Sequence, residues 1–166
     1  MRVLPKTWTV DTILQREKWI NPKPQYQRNP VWDIEKKQRL IDSILRGYDI
    51  PKLYLRPMAH ANYKYEVVDG QQRLRAIWDF AREKYCLGTA SEDLPDFGDL
   101  SGELYKSLAE NAMEKFSQFE LNVVLIEEAS ELEIRDLFLR LQEGVSLNPA
   151  EKRNAMPGEM RDFVAK

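Results

Sequence analysis

Cysteine and histidine are almost missing from this chain: Cys86 and His60 are the sole examples in 166 residues. That scarcity excludes an internal disulfide, a Cys-x-x-Cys redox pair and a Cys/His zinc cluster, and with them any hydrolytic centre that needs two histidines. Long apolar runs are also absent. None approaches the ~18–20 residues that span a bilayer, and Met1-Arg2-Val3-Leu4-Pro5 is not followed by the apolar core of a signal peptide. Charge of one sign does not dominate either. With 25 Lys and Arg against 27 Asp and Glu, the net charge of −2 excludes histone-like coating of nucleic acid, although a local basic face is allowed. These absences predict a soluble, cytoplasmic protein whose chemistry rests on Arg, Lys, carboxylates, amides and backbone dipoles. The length suits one compact domain, and the helical pattern still running at Lys166 suggests the N-terminal part of a longer chain.

What is present reads as mixed α+β, helix-rich, around a small mixed sheet. Val10, Ile13 and Leu14 recur at helical spacing within Thr9 to Trp19, with Thr9 or Asp11 available as cap. Asn21-Pro22-Lys23-Pro24 then stops any helix, which leaves Gln25 to Val31 extended or irregular. Asp33 is a good N-cap for a second helix with Ile34, Gln38, Ile41 and Leu45 on its stripe, and Gly47 closes it. Lys52–Arg56 and Lys64–Val68 look like two strands of a hairpin. A third helix runs from Gln71 to about Lys84. Gly88 to Gly102, with Glu92, Asp93, Asp96, Asp99 and no base, reads as a solvated loop. Leu104, Leu108, Met113 and Phe116 suggest a helix, and Leu121 to Ile126 a strand. Ser130 and Glu133 form a capping box for a helix that stops at Gly144. Asn148-Pro149 starts a last one.

The sharpest chemical signal is Glu66-Val67-Val68-Asp69-Gly70-Gln71-Gln72-Arg73-Leu74. A strand delivers the chain to an Asp-Gly turn and a helix begins at once. The first-turn amides then lack intrahelical partners and attract an anion. Gly70 permits close backbone approach and Arg73 adds a fork suited to phosphate oxygens. Gln71 and Gln72 suit a base, ribose or phosphate. Asp69 suits a cap or a magnesium ion. An ordinary capped helix start is the bland alternative. A second cluster, Pro24-Gln25-Tyr26-Gln27-Arg28-Asn29-Pro30-Val31-Trp32, places polar and aromatic residues in an irregular segment, where binding residues often sit. Arg16 to Arg46 carries eight bases against four acids, either a phosphate-binding face or the solvated side of a helix. His60 reads as a surface turn residue, Cys86 as packed, and Glu127 and Glu128 as a capping-region pair.

In order and spacing, Pro24-x-Tyr26-Gln27-Arg28-x-x-Val31-Trp32, Gln38-Arg39-Leu40-Ile41-x-Ser43-Ile44, Ile50-Pro51 and Val68-Asp69-Gly70-Gln71-Gln72-Arg73-Leu74 together resemble the Asp-Gly-Gln-Gln-Arg domain family. That family includes the N-terminal domains of GmrSD-type modification-dependent restriction enzymes and falls in the ParB/sulfiredoxin-like superfamily. Phe138-Leu139-Arg140-Leu141 through Arg153 resembles its C-terminal motif, with Gln142 where Asn is expected. The resemblance covers nearly the whole chain as one domain. It implies a nucleoside triphosphate site, with Mg2+, formed by Asp69, Gly70, Gln71, Gln72 and Arg73. Tyr26, Gln27 and Arg28 would line it from the facing loop, and Arg140 and Arg153 are further candidates. It also implies hydrolysis in some members, served here by Asp69, Gln72 and Arg73, with Asp69 as the metal ligand. The attached partner would be a DNA-cleaving domain or nuclease subunit in defence against phage. A DNA-binding module without hydrolysis is the alternative. DNA and a second copy of the chain stay open as partners.

Overall fold

A computed structural model describes residues 1–21, 31–59 and 62–144. They form two compact units: residues 2–127, and a second unit that takes in Met1 and the chain from Glu128 onward. The first unit is a five-stranded mixed sheet carrying helices, as expected of an α+β chain.

The strands are β1 (Arg2–Thr9), β2 (Ile20–Asn21), β3 (Leu53–Pro57), β4 (Tyr65–Asp69) and β5 (Glu120–Glu127), ordered β1-β5-β3-β4-β2. β1 pairs antiparallel with β5, β5 parallel with β3, β3 antiparallel with β4, and β4 parallel with β2. The β3–β4 hairpin is therefore the one expected from the sequence. β1 is not visible in the sequence pattern, because its residues are mostly exposed and Pro5 interrupts it. Proline is tolerated there because β1 is an edge strand, where a missing amide donor leaves no neighbour unpaired.

Helices α1 (Val10–Gln15), α2 (Ile34–Arg46), α3 (Gln71–Ala81) and α4 (Glu110–Ser117) complete the unit. The helix expected over Thr9–Trp19 is shorter: α1 ends at Gln15, and after Arg16 the chain makes a single 3-10 turn over Glu17–Trp19. Thr9 caps α1 through its side chain, as Asp33 caps α2. Gly47 ends α2 in the left-handed conformation at φ 78°, which glycine adopts without steric cost. Ile34, assigned to the apolar stripe, is 49% exposed, since the first turn of α2 lies beyond the core.

One core joins one sheet face to these helices. Leu53, Leu55, Val67, Leu121, Val123 and Leu125 supply the strand side, and Ile41, Ile44, Leu74, Ile77, Phe80 and Phe116 the helix side. Phe80, Tyr105 and Phe116 meet edge to face at centroid separations of 5.4–5.8 Å. Such pairs add ~0.5–1.5 kcal/mol each beyond burial. The Gly88–Gly102 segment is not simply solvated. Ser91 is fully buried and Leu94 nearly so. Ser91 Oγ donates to Asp42 Oδ1 at 2.9 Å, Arg46 Nε donates to Asp42 Oδ2 at 2.8 Å, and Arg46 Nη2 donates to the Ala90 carbonyl at 3.0 Å. Acid-rich composition predicted solvent; three side chains of α2 and the segment itself override it by pinning the backbone.

The second unit contains α5 (Glu131–Gln142). Its capping box forms as expected: Ser130 Oγ accepts the Glu133 amide at 3.2 Å, and the Glu133 carboxylate accepts the Ser130 amide at 2.9 Å. Ile134, Leu137 and Phe138 are buried, whereas Leu132 and Leu139 are exposed. The helix start expected at Asn148-Pro149 lies outside the described residues.

Candidate functional site

The strand–turn–helix junction at Asp69-Gly70 is built by a register shift. Tyr54 pairs with Asp69 and Leu55 with Val67, so Val68 is an extra residue in β4 opposite that step. A bulge of this kind bends the strand and re-aims the residues after it. Gly70 then turns at φ 106°, ψ 13° and α3 begins at Gln71. A Cβ on Gly70 would lie 2.5 Å from Leu53 Cδ2, closer than any real Cβ contact, so both the backbone angle and the neighbouring strand demand glycine.

Glycine brings no side chain to cap α3, and the first turn contains no acid. The first intrahelical donor is Leu74, which donates to the Gly70 carbonyl at 3.0 Å. The amides before it are the orphan donors of the helix, and with the dipole they favour an anion. α1, α2 and α5, by contrast, each spend a side chain on that position.

The four side chains around the turn take distinct positions. Gln72 is buried, and its Oε1 accepts the backbone amide of Trp32 at 3.0 Å. It therefore ties the segment that ends at Val31-Trp32 to the first turn of α3. Gln71 is half-buried. Arg73 folds back: its Nη2 donates to the Lys52 carbonyl at 2.6 Å and lies 3.4 Å from Asp69 Oδ2. Only 14% of its side chain is exposed, and its Nε is buried without a partner among the described residues. Burial lowers the Arg73 pKa from its ordinary value, opposed by the adjacent Asp69 carboxylate. The guanidinium so placed braces β3, β4 and α3 together.

The structure thus brings Asp69, Gly70, Gln71, Gln72 and Arg73 into one junction. Tyr26, Gln27, Arg28, His60 and Arg153 lie outside the described residues. Arg140 belongs to the second unit, where its Nε donates to Asp136 at 2.9 Å within α5. Sequence reasoning missed three participants: the Lys52 carbonyl, the Leu53 side chain and the Trp32 amide. Two of these are backbone groups, for which residue identity carries no signal. Glu127 pairs with Arg2 across β1 and β5 at 3.6 Å. Among the described residues no group of three His, Cys, Asp or Glu is arranged to hold a metal ion. No helix there is long and apolar enough to cross a membrane.

Within the basic stretch between Arg16 and Arg46, three of the bases are ion-paired, one of them with an acid from outside the stretch. Lys37 pairs with Asp79 at 2.9 Å, Arg39 with Glu35 at 3.7 Å and Arg46 with Asp42 at 2.8 Å. Arg16 sits over the rings of Trp8 and Trp19 at 4.7 and 5.8 Å.

Fold and junction together define a mixed α+β protein in which a bulged strand, a glycine turn and an uncapped helix present backbone donors. A sequence profile of the GmrSD restriction endonuclease N-terminal domain matches residues 10–156, and the chain belongs to that family. Among solved structures, it is similar to the C-terminally truncated chromosome-partitioning protein ParB from Caulobacter crescentus complexed with CTP-gamma-S. That match has a TM-score of 0.44 and 12% identity, and covers 95% of this chain and 65% of the ParB chain. None of the curated proteins compared with the chain matches it.

Proposed function

We propose that this chain is a regulatory domain that binds, and hydrolyses, a nucleoside triphosphate in a bacterial DNA-restriction system directed against phage. The observation that carries the reading is the uncapped, acid-free start of α3 immediately after Gly70. Such a terminus matches phosphate oxygens by geometry and by sign of charge. Family membership supports it, since the chain belongs to the N-terminal domains of restriction endonucleases. DNA cleavage would fall to a separate nuclease domain or subunit.

In this reading the amides of Gln71, Gln72 and Arg73 take phosphate oxygens, and Gln71, the outward glutamine, contacts the ligand directly. Gln72 and Arg73 hold the junction in shape. Tyr26, Gln27 and Arg28, which lie outside the described residues, remain part of this proposal through the family resemblance alone. Among the described residues Asp69 is the carboxylate of this junction that would hold Mg2+, which would reach it together with the nucleotide. The ion would neutralise phosphate charge there. In the hydrolytic part of the proposal Asp69, half-buried beside Arg73, would orient the attacking water. The DNA-binding alternative would rest on the same basic stretch, of which Lys37 is paired with Asp79 from outside it at 2.9 Å.

Calorimetric titration of the chain with each common nucleoside triphosphate and Mg2+ tests the binding. Saturation by at least one of them is expected. Absence of saturation up to millimolar ligand overturns the reading. Release of inorganic phosphate from the bound nucleotide tests the hydrolytic part separately.

A further inference from the structure

A second concave site lies beside α3, along the face that carries Arg75, Trp78 and Arg82. Between α1 with its following 3-10 turn and the later turns of α3 runs a cleft of about 620 Å3. Leu14, Ile20 and Trp78 form its apolar wall, and Lys18, Arg75, Arg82 and Lys84 line it together with Glu17 and Asp79.

The charges do not cancel. Arg82 is paired with Glu17. Asp79 is shared by Lys37 at 2.9 Å and Lys84 at 3.7 Å, so two cations meet one carboxylate there. Arg75 and Lys18 have no ion-pair or hydrogen-bond partner among the described residues. Three cations are therefore in surplus around one cavity. Arg75 is also half-buried. Partial burial without a partner forfeits solvation that an anion would restore. Concave walls of low dielectric focus the field of such charges.

We infer that this cleft binds a small phosphorylated ligand, with Arg75 as its central contact and Lys18 and Lys84 at its rim. Arg75 offers the planar fork that matches two phosphate oxygens, while the lysines act as point charges. The volume falls within the ~300–1,000 Å3 typical of small-molecule sites. A duplex, by contrast, is read by elements that protrude into its grooves, and this surface is hollow. The inference does not depend on the α3 terminus binding nucleotide.

Nuclear magnetic resonance titration of the isotope-labelled chain with inorganic pyrophosphate tests it. Saturable shifts are expected at the Arg75 side chain and at the amides of Lys18, Arg82 and Lys84. Arg75→Ala, which places the best helix former in mid-helix and so keeps the fold, should weaken that binding about tenfold, ~1.4 kcal/mol for one charge-assisted contact. Lys18→Ala should weaken it less. Shifts confined to Gly70, Gln71 and Gln72 overturn the cleft and leave the reading of the α3 terminus standing. Cleft shifts that Arg75→Ala does not weaken also overturn it. So do cleft shifts produced by a short DNA duplex and not by pyrophosphate, which would make the partner a nucleic-acid backbone.

Discussion

Gln72 Oε1 accepts the backbone amide of Trp32 at 3.0 Å, joining residues forty positions apart. The bond links the first turn of α3 to the N-terminal approach of α2, the two elements that flank the Asp69-Gly70 junction. A side chain that reads as a candidate ligand contact is in this structure a tether.

Replacing Gln72 by alanine removes the acceptor and leaves the Trp32 amide unpaired in a part-buried position. The cost of such an orphan donor is ~1–3 kcal/mol. Gln72→Ala should lower the denaturation midpoint accordingly and speed hydrogen exchange at Trp32 selectively. Unchanged exchange there would refute the tether.

Gly70→Ala should be worse. The new Cβ would need to displace Leu53, whose Cδ2 lies 2.5 Å away, and to hold φ 106°. Backbone strain of this kind costs ~1–3 kcal/mol, and overpacking against a core leucine adds ~1–3 kcal/mol. Thermal unfolding should show a drop of several degrees, and calorimetry a parallel loss of nucleotide affinity.

Arg73→Lys preserves charge and discards the fork. An ammonium cannot reproduce the planar reach of Nη2 to the Lys52 carbonyl at 2.6 Å with Asp69 beside it. Lysine should therefore fail to restore the stability lost in Arg73→Ala, measured by urea unfolding. Full rescue by lysine would show that charge alone matters at this position.

These sites are unequally legible in the sequence. The Asp69-Gly70 turn, the α3 start, the β3–β4 hairpin and the Asp33 and Ser130 caps depend on local spacing and side-chain chemistry, which residue order displays. β1 is not visible there, because an exposed edge strand lacks apolar alternation. The burial of Ser91 and Leu94 is hidden by the acids around them, which report only the outward side of that segment.

Glu133 offers a pH test in the second unit. Acceptance of the Ser130 amide holds its carboxyl below the usual carboxylate value. A depressed folded pKa means that the cap stabilises α5 above the unfolded value of ~4.3 and loses that contribution as pH falls through the folded value. Carbon-13 titration of Glu133 should give a midpoint below that of a model peptide. A midpoint at the ordinary value in the intact protein would rule the cap out.

Residue order alone determined the α+β class, the position of the glycine turn, most helix caps and membership of a restriction-enzyme domain family. Those properties follow from contacts within a few residues or from motifs in fixed order. Only the tertiary structure decided which polar residues find partners within the chain. Arg73 and Gln72 found partners at the Lys52 carbonyl and the Trp32 amide, Lys37 paired with Asp79, and Arg75 and Lys18 were left without an ion pair among the described residues beside a cleft. The physical reason is that a charge or a hydrogen-bonding group acquires its role from its partner, and partners far apart in the chain meet only when it folds.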